Sequence, residues 1–156
     1  MQTVRIEAHV PGGVATEVYE TVVDFTRYPE LVETVREVVA EPAAEDGSIT
    51  SHWAVNFRNG VLRWTEVDTF DREALVSRFT QTTGDFDVFE GQWSVTQDGG
   101  DAFVVFHAEF DFGVPTLASI IDPVAIRVLT ESMQDILLGL FDGSVKFSHP
   151  ERAAAR

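Results

Sequence analysis

The 156-residue chain contains no cysteine. That excludes disulfides, a thiolate nucleophile and any cysteine-ligated metal centre, while leaving the cellular compartment open. No two of its 4 histidines stand at metal-ligand spacing, and Asp and Glu alone form no defined metal motif, so no metal and no cofactor is implied. No glycine-rich phosphate cradle precedes a helix, since Gly12-Gly13 reads as a turn, and no serine sits in a nucleophile motif. Basic residues are scarce: 11 against 26 acidic ones, a net charge of −15. Such a surface repels nucleic acid and anionic lipid headgroups, and its simplest use is solubility. A long apolar run is also missing from the N-terminus, where Met1 to Val10 alternates polar and apolar residues. The segment reads as neither a signal peptide nor a membrane span, so the expectation is a cytoplasmic protein without membrane insertion. There is no repeat and no low-complexity block. Residues 148–156 read as a disordered tail. The remaining 1–147 read as one domain, a length at which folding buries roughly 70% of the chain's surface.

Aromatic surface is abundant, with 12 Phe, 3 Trp and 2 Tyr. Its placement follows from periodicity. Thr3 to Val10 alternates with Val4, Ile6, Ala8 and Val10 on one side, the pattern of a strand with one buried face. Pro11-Gly12-Gly13 ends it. Val14, Val18, Val22 and Phe25 then share a helical face, and Tyr28-Pro29-Glu30-Leu31-Val32 turns into a second short helix. Period two returns in Val35–Glu41, Ile49–Phe57, Val61–Phe70, Leu75–Thr82, Phe86–Thr96 and Ala102–Phe112. The connectors are turn-like: Glu45-Asp46-Gly47-Ser48, Arg58-Asn59-Gly60, Thr83-Gly84-Asp85 and Asp98-Gly99-Gly100-Asp101. Asn59-Gly60 is a strong hairpin signal, and Gly84 and Gly99-Gly100 are weaker ones. Asp122-Pro123 reads as a helix start, and Val124, Val128, Leu129, Met133, Ile136, Leu137, Leu140 and Phe141 repeat at helical spacing up to a stop at Gly143. The apolar stretch Gly113 to Ile121 before it reads as a short helix or a lid. Strands segregated from helices give an α+β fold. Gly91, inside a long strand, is a candidate bend or bulge.

This order resembles the helix-grip fold of the START-like superfamily, from Val4 to about Leu140. The marks are Tyr28-Pro29-Glu30-Leu31 after the first helix, Gly84-Asp85-Phe86 leading to Phe89-Glu90-Gly91-Gln92-Trp93, and Glu109-Phe110-Asp111-Phe112-Gly113-Val114-Pro115 before the last helix. The resemblance is nearest to the bacterial polyketide cyclase/dehydratase and coenzyme Q-binding group. It implies a curved antiparallel sheet of about seven strands wrapped around a long C-terminal helix, with two short helices after the first strand. It also implies a cavity for a hydrophobic or aromatic small molecule. The aromatase branch carries an Arg and an Asn at positions where this chain has Asp68 and Ile126.

Strand faces nominate the site. Ala102, Val104, Phe106, Ala108, Phe110 and Phe112 form one apolar face, which puts His107 outward. Phe89, Gly91, Trp93 and Val95 form another, with Glu90 and Gln92 outward. Leu62, Trp64, Glu66, Asp68 and Phe70 share a face, so an inward Trp64 brings both carboxylates in with it. Burial among aromatics raises a carboxyl pKa and suits it to acid or base work. The alternative is that this polar set faces solvent near the strand's end. Apolar content favours Trp53, Val55 and Phe57 inward, and the reverse register would bring in His52 and Asn56. Arg78 is ambiguous in the same way, and inward it would polarise a carbonyl oxygen. The candidate catalytic set is Glu66, Asp68, Arg78 and His52. The candidate ligand wall is Tyr28, Trp53, Trp64, Phe89, Trp93, Phe106 and Phe110, with Val128, Ser132 and Met133 on the helix. Two functions follow. One is a cofactor-free cyclase or dehydratase that folds a poly-β-ketone or similar intermediate and promotes aldol closure or loss of water. The other is a non-catalytic carrier of a quinone, lipid or polyketide. A carrier protein or a homodimer partner stays open.

Overall fold

A computed structural model describes residues 1–57, 60–111 and 118–147, with side chains for all of these but 57 and 118–125. The elements run β1 (Gln2–Val10), α1 (Ala15–Val23), a 3-10 turn (Phe25–Arg27), α2 (Tyr28–Leu31), β2 (Val35–Ala40), β3 (Ile49–Phe57), β4 (Gly60–Asp71), β5 (Val76–Gly84), β6 (Val88–Asp98), β7 (Asp101–Asp111), α3 (Ala118–Leu140) and β8 (Lys146–Phe147). The strands form one antiparallel sheet in the order β2-β3-β4-β5-β6-β7-β1-β8. This is the α+β architecture that the period-two runs and the terminal helix imply, in the helix-grip arrangement that the resemblance implies. Consecutive hairpins lay down β2 to β7, and β1 closes on β7 with Val4 opposite Ala108 and Ile6 opposite Phe106.

Four details differ from the expectation. An eighth strand, β8, pairs Phe147 and Lys146 with Ala8 and His9 of β1; two residues are too short to show a period. Val14 is the N-cap of α1 and largely exposed, while Tyr19 and Ala15 join Val18 and Val22 on the buried face. Helix α3 begins at Ala118, ahead of Asp122-Pro123. Proline's fixed φ suits a helix, and its missing N–H removes one backbone bond near the end of a 23-residue element. Gly84 lies at the end of β5 with a φ of 149°, and a Cβ there would stand 2.4 Å from the Trp64 Cβ. It permits a close strand contact rather than a tight hairpin. The Arg58-Asn59 turn, Phe112, residues 113–117 and the tail 148–156 lie outside the described residues, as does the Phe57 side chain.

Two irregularities shape the inner surface. The β4–β5 register skips at Thr65/Glu66, leaving Thr82 as the extra residue, and the β2–β3 register skips at Val35/Glu37. Such bulges bend a strand and sharpen its twist. At Gly91 the register to β7 is unbroken, so it is no bulge; a Cβ there would meet the His107 carbonyl oxygen at 2.1 Å. In the row Asp68–Phe79–Gly91–Ala108 the two small residues leave space that aromatic rings fill. Phe79 stacks on Phe106 at 5.9 Å and leans on Phe89 at 5.1 Å. Helix α3 buries Leu129, Met133, Ile136 and Leu137 and packs across β1. It stops where Gly143, at a φ of 78°, turns the chain and bonds its N–H to the Leu138 carbonyl.

Candidate functional site

The two registers left open by the sequence are now fixed. On β4, Leu62, Trp64, Glu66 and Asp68 all point inward and are buried. On β3, Ser51 and Val55 are buried and Trp53 half-buried on the same side, with Ser51 opposite Glu66 and Trp53 opposite Trp64. Trp53 and Trp64 stack with ring centres 5.7 Å apart and planes 5° from parallel. Phe25 and Tyr28 close over Trp53, and Phe86 and Phe89 meet Trp64 edge-on.

Within this aromatic shell lie two carboxyls, Glu66 at 4% and Asp68 at 3% exposure. Trp64 Nε1–H donates to Glu66 Oε1 at 2.8 Å. Trp53 Nε1–H donates to Ser51 Oγ at 2.9 Å, and Ser51 Oγ–H donates to Asp68 Oδ2 at 2.6 Å. Glu66 and Asp68 also share a hydrogen bond. Burial raises the pKa of both. Glu66 is raised well above the ordinary 4.5 by desolvation first, then by its bond to Asp68 and that neighbour's charge. Asp68 is raised from 3.8 by desolvation, against the lowering effect of its bonds from Glu66 and Ser51. Both carboxyls are therefore held above their ordinary range, burial being the first cause for each. Two carboxyls in contact cannot both ionise cheaply, so the pair titrates as one unit. Tyr28 donates its hydroxyl to the Val22 carbonyl, and burial pushes its pKa upward.

Among the described residues, two adjoining voids remain on the inner face of the sheet, one reaching α3 and the other under α1 and the 3-10 turn. One, of about 30 Å³, is lined by Tyr28, Trp53, Trp64, Glu66, Phe79, Phe89, Trp93, Phe106 and Met133. The other, of about 20 Å³, reaches Glu66, Asp68 and Ser77 beneath Phe25, Trp53 and Trp93. Each has room for about one water. Both are smaller than an organic ring, and Met133, on α3, is the flexible side chain of the first lining.

The sequence-derived candidates divide accordingly. Tyr28, Trp53, Trp64, Phe89, Trp93, Phe106, Met133 and Glu66 meet at the first void, and Asp68 at the second. Phe110 is fully buried but lies behind Phe86, at 6.0 Å, rather than on a void wall. His52 is not at the pocket: it lies on the outer face, bridging Glu41 at 2.6 Å and Thr65 at 2.8 Å, because strand alternation sends it opposite to Trp53. Arg78 is likewise exposed, in an outer groove with Glu90, Gln92, His107 and Glu109, since Ser77 and Phe79 take the inner positions. Val128 and Ser132 line a different groove, with Thr34, Asn56, Glu131 and Asp135. Residues not nominated from the sequence are Ser51 beside the carboxyls, and Ser77, Phe79, Phe25, Val22 and Val23 on the void walls. An inward Trp53 implied an inward Ser51, and Phe79 beside Arg78 carried the apolar signal that settles that strand's face. No group of three or more His, Asp or Glu among the described residues could hold a metal. No described helix is long and apolar enough to cross a membrane.

Comparison with known proteins agrees with this fold. No curated protein matches the chain. Solved structures do. A protein from Thermus thermophilus is 24% identical with a TM-score of 0.81, the match covering 99% of this chain and 100% of that one. The Zhui aromatase/cyclase from a Streptomyces species is 16% identical with a TM-score of 0.78, covering 98% and 97%. A START superfamily protein from Mycobacterium smegmatis is 16% identical with a TM-score of 0.72, covering 90% and 94%. At these identities the likeness is one of fold. Residues 14–137 match the family described as polyketide cyclase / dehydrase and lipid transport. With most of its length inside that match, and with the START-like helix-grip fold to go with it, the chain belongs to the polyketide cyclase/dehydrase and lipid transport family.

Proposed function

We propose that the chain binds an aromatic or poly-β-ketone intermediate between the sheet and α3, and that Glu66 and Asp68 promote its aldol closure or dehydration. The observation that carries this reading is a pair of neighbouring buried carboxyls, both raised above their ordinary range, inside an aromatic pocket. For loss of water, the Asp68 carboxylate takes the proton α to a ketone while Glu66 protonates the departing hydroxyl. The C–H and C–O bonds break, a C=C bond forms, and water leaves. One proton is taken and one given, and a shift across the Glu66–Asp68 hydrogen bond restores the starting state. Positioning by the ring-lined walls supplies the rest of the rate. The test is turnover of a β-hydroxyketone surrogate, followed by the absorbance of the conjugated product. Glu66→Gln and Asp68→Asn are expected to lose about 10²–10⁴-fold in rate while still binding the surrogate.

A second reading, a non-catalytic carrier, is favoured by one observation. The strong polar contacts at the carboxyls run to the protein itself, through Trp64 and Ser51, and the remaining wall is mostly aromatic. Binding by the wild type without turnover selects that reading.

A further inference from the structure

Resting on the reading of these voids as the ligand site, we infer that the ligand presents a hydrogen-bond-donating, non-anionic group at its buried end, and that the pocket rejects carboxylate-bearing molecules. Among the described residues no Lys, Arg or His lines either void. The donors nearest the carboxyls are committed: Tyr28 to the Val22 carbonyl, Trp53 to Ser51 and Trp64 to Glu66. Ser77 adds a hydroxyl to the second void, which carries no charge. What remains is acceptor capacity on Glu66 and Asp68, because a carboxylate offers about four lone-pair sites. An alcohol, phenol, enol or ammonium group uses that capacity. An anion would face negative oxygens with no positive partner in a water-poor space, and the net charge of −15 adds to its exclusion. The family's description spans cyclases and lipid transport, and this selection separates neutral or cationic ligands from acidic lipids.

The test uses the full chain and four probes with one ring system: 2-naphthylmethanol, 2-naphthylmethylamine, 2-ethylnaphthalene and 2-naphthoate. Binding is read at neutral pH from the indole N–H signals of Trp53 and Trp64, assigned with Trp→Phe variants. The alcohol or the amine is expected to bind about tenfold or more tightly than the hydrocarbon, the gain of one hydrogen bond to a charged acceptor. Whichever of the two leads identifies the donor as neutral or cationic. Naphthoate is expected to bind roughly a hundredfold more weakly than the alcohol, and Asp68→Asn to shrink that gap to about tenfold or less. Asp68→Ser, which also removes the charge, provides a second variant should Asp68→Asn fail to fold. Naphthoate binding as well as the alcohol, or the hydrocarbon equalling it, overturns the inference and leaves the pocket standing. If no probe moves the indole signals, the pocket itself is not the ligand site and both readings fall.

Discussion

Ser51→Ala isolates the link between the indoles and the carboxyl pair. Ser51 is fully buried, takes the Trp53 N–H at 2.9 Å and donates to Asp68 at 2.6 Å. A hydrogen bond to a charged acceptor contributes about 1.5–3 kcal/mol, and a stranded buried donor costs about 1–3. Trp53 is half-buried, so water partly rescues its N–H and the lower end applies to that second effect. In the charged state of the pair, which higher pH favours, the total loss is about 2.5–4 kcal/mol. When the pair is protonated, the first contribution falls to that of a neutral bond, about 0.5–1.5, and the total to roughly 1.5–2.5. The direction follows from linkage: Ser51 lowers the Asp68 pKa, so its removal raises that pKa and costs more as pH climbs. The measurement is urea unfolding by far-UV circular dichroism at pH 8 and pH 5.5, the latter clear of the chain's isoelectric point of about 4.4. A loss below about 1 kcal/mol at pH 8, or one equal at both pH values, refutes the picture of Ser51 holding an anionic Asp68.

Glu66→Gln keeps the acceptor for Trp64 and a donor for Asp68 but cannot ionise. A raised carboxyl stabilises the fold fully below its ordinary pKa, 4.5 for Glu66, and that stability is lost as pH rises through the raised one. The variant should therefore gain on wild type with increasing pH, by on the order of 1 kcal/mol at pH 8, in the same urea assay. Gly84→Ala forces a φ of 149° on a side-chain residue and drives its Cβ into Trp64; a loss of about 2–4 kcal/mol and a displaced Trp64 indole N–H signal are expected. Phe89→Ala removes a ring that touches Trp64, Phe79 and Phe86, at about 3–5 kcal/mol in unfolding experiments, and a larger probe should then bind by the indole readout. His52→Ala and Arg78→Ala, both on the outer face, should leave probe affinity within about twofold, a change below 0.5 kcal/mol.

The fold was legible because nearly every element carries a clean period. The β7 residues Ala102, Val104, Phe106, Ala108 and Phe110 alternate without a break, and each is buried. The site was legible only in part. Trp64 settled the fate of Glu66 and Asp68 once its own face was known, but β4 carries apolar and polar residues on both faces, so alternation alone left two registers. The bulge at Thr82 is invisible in sequence, because it arises from pairing between strands rather than from any local residue preference. His52 misled for a related reason. A half-exposed imidazole held by Glu41 and Thr65 looks, in one dimension, like a catalytic one. The start of α3 misled because Asp-Pro is a common opening that an established helix can also run through.

The polar groups of the pocket are drawn almost entirely from one hairpin. Ser51, Trp53, Trp64, Glu66 and Asp68 all sit on β3 and β4, while Phe79, Phe89, Trp93 and Phe106 come from β5, β6 and β7, and Met133 from α3. Reactivity and capacity are therefore separable along the chain. Exchanging the 49–71 hairpin for another of the same register would rewrite what the pocket can do to a ligand while preserving most of the shape that admits it. Substitutions on the later strands would retune size and leave the acid–base pair in place. On the function proposed above, a protein divided in this way can change its reaction and its ligand independently.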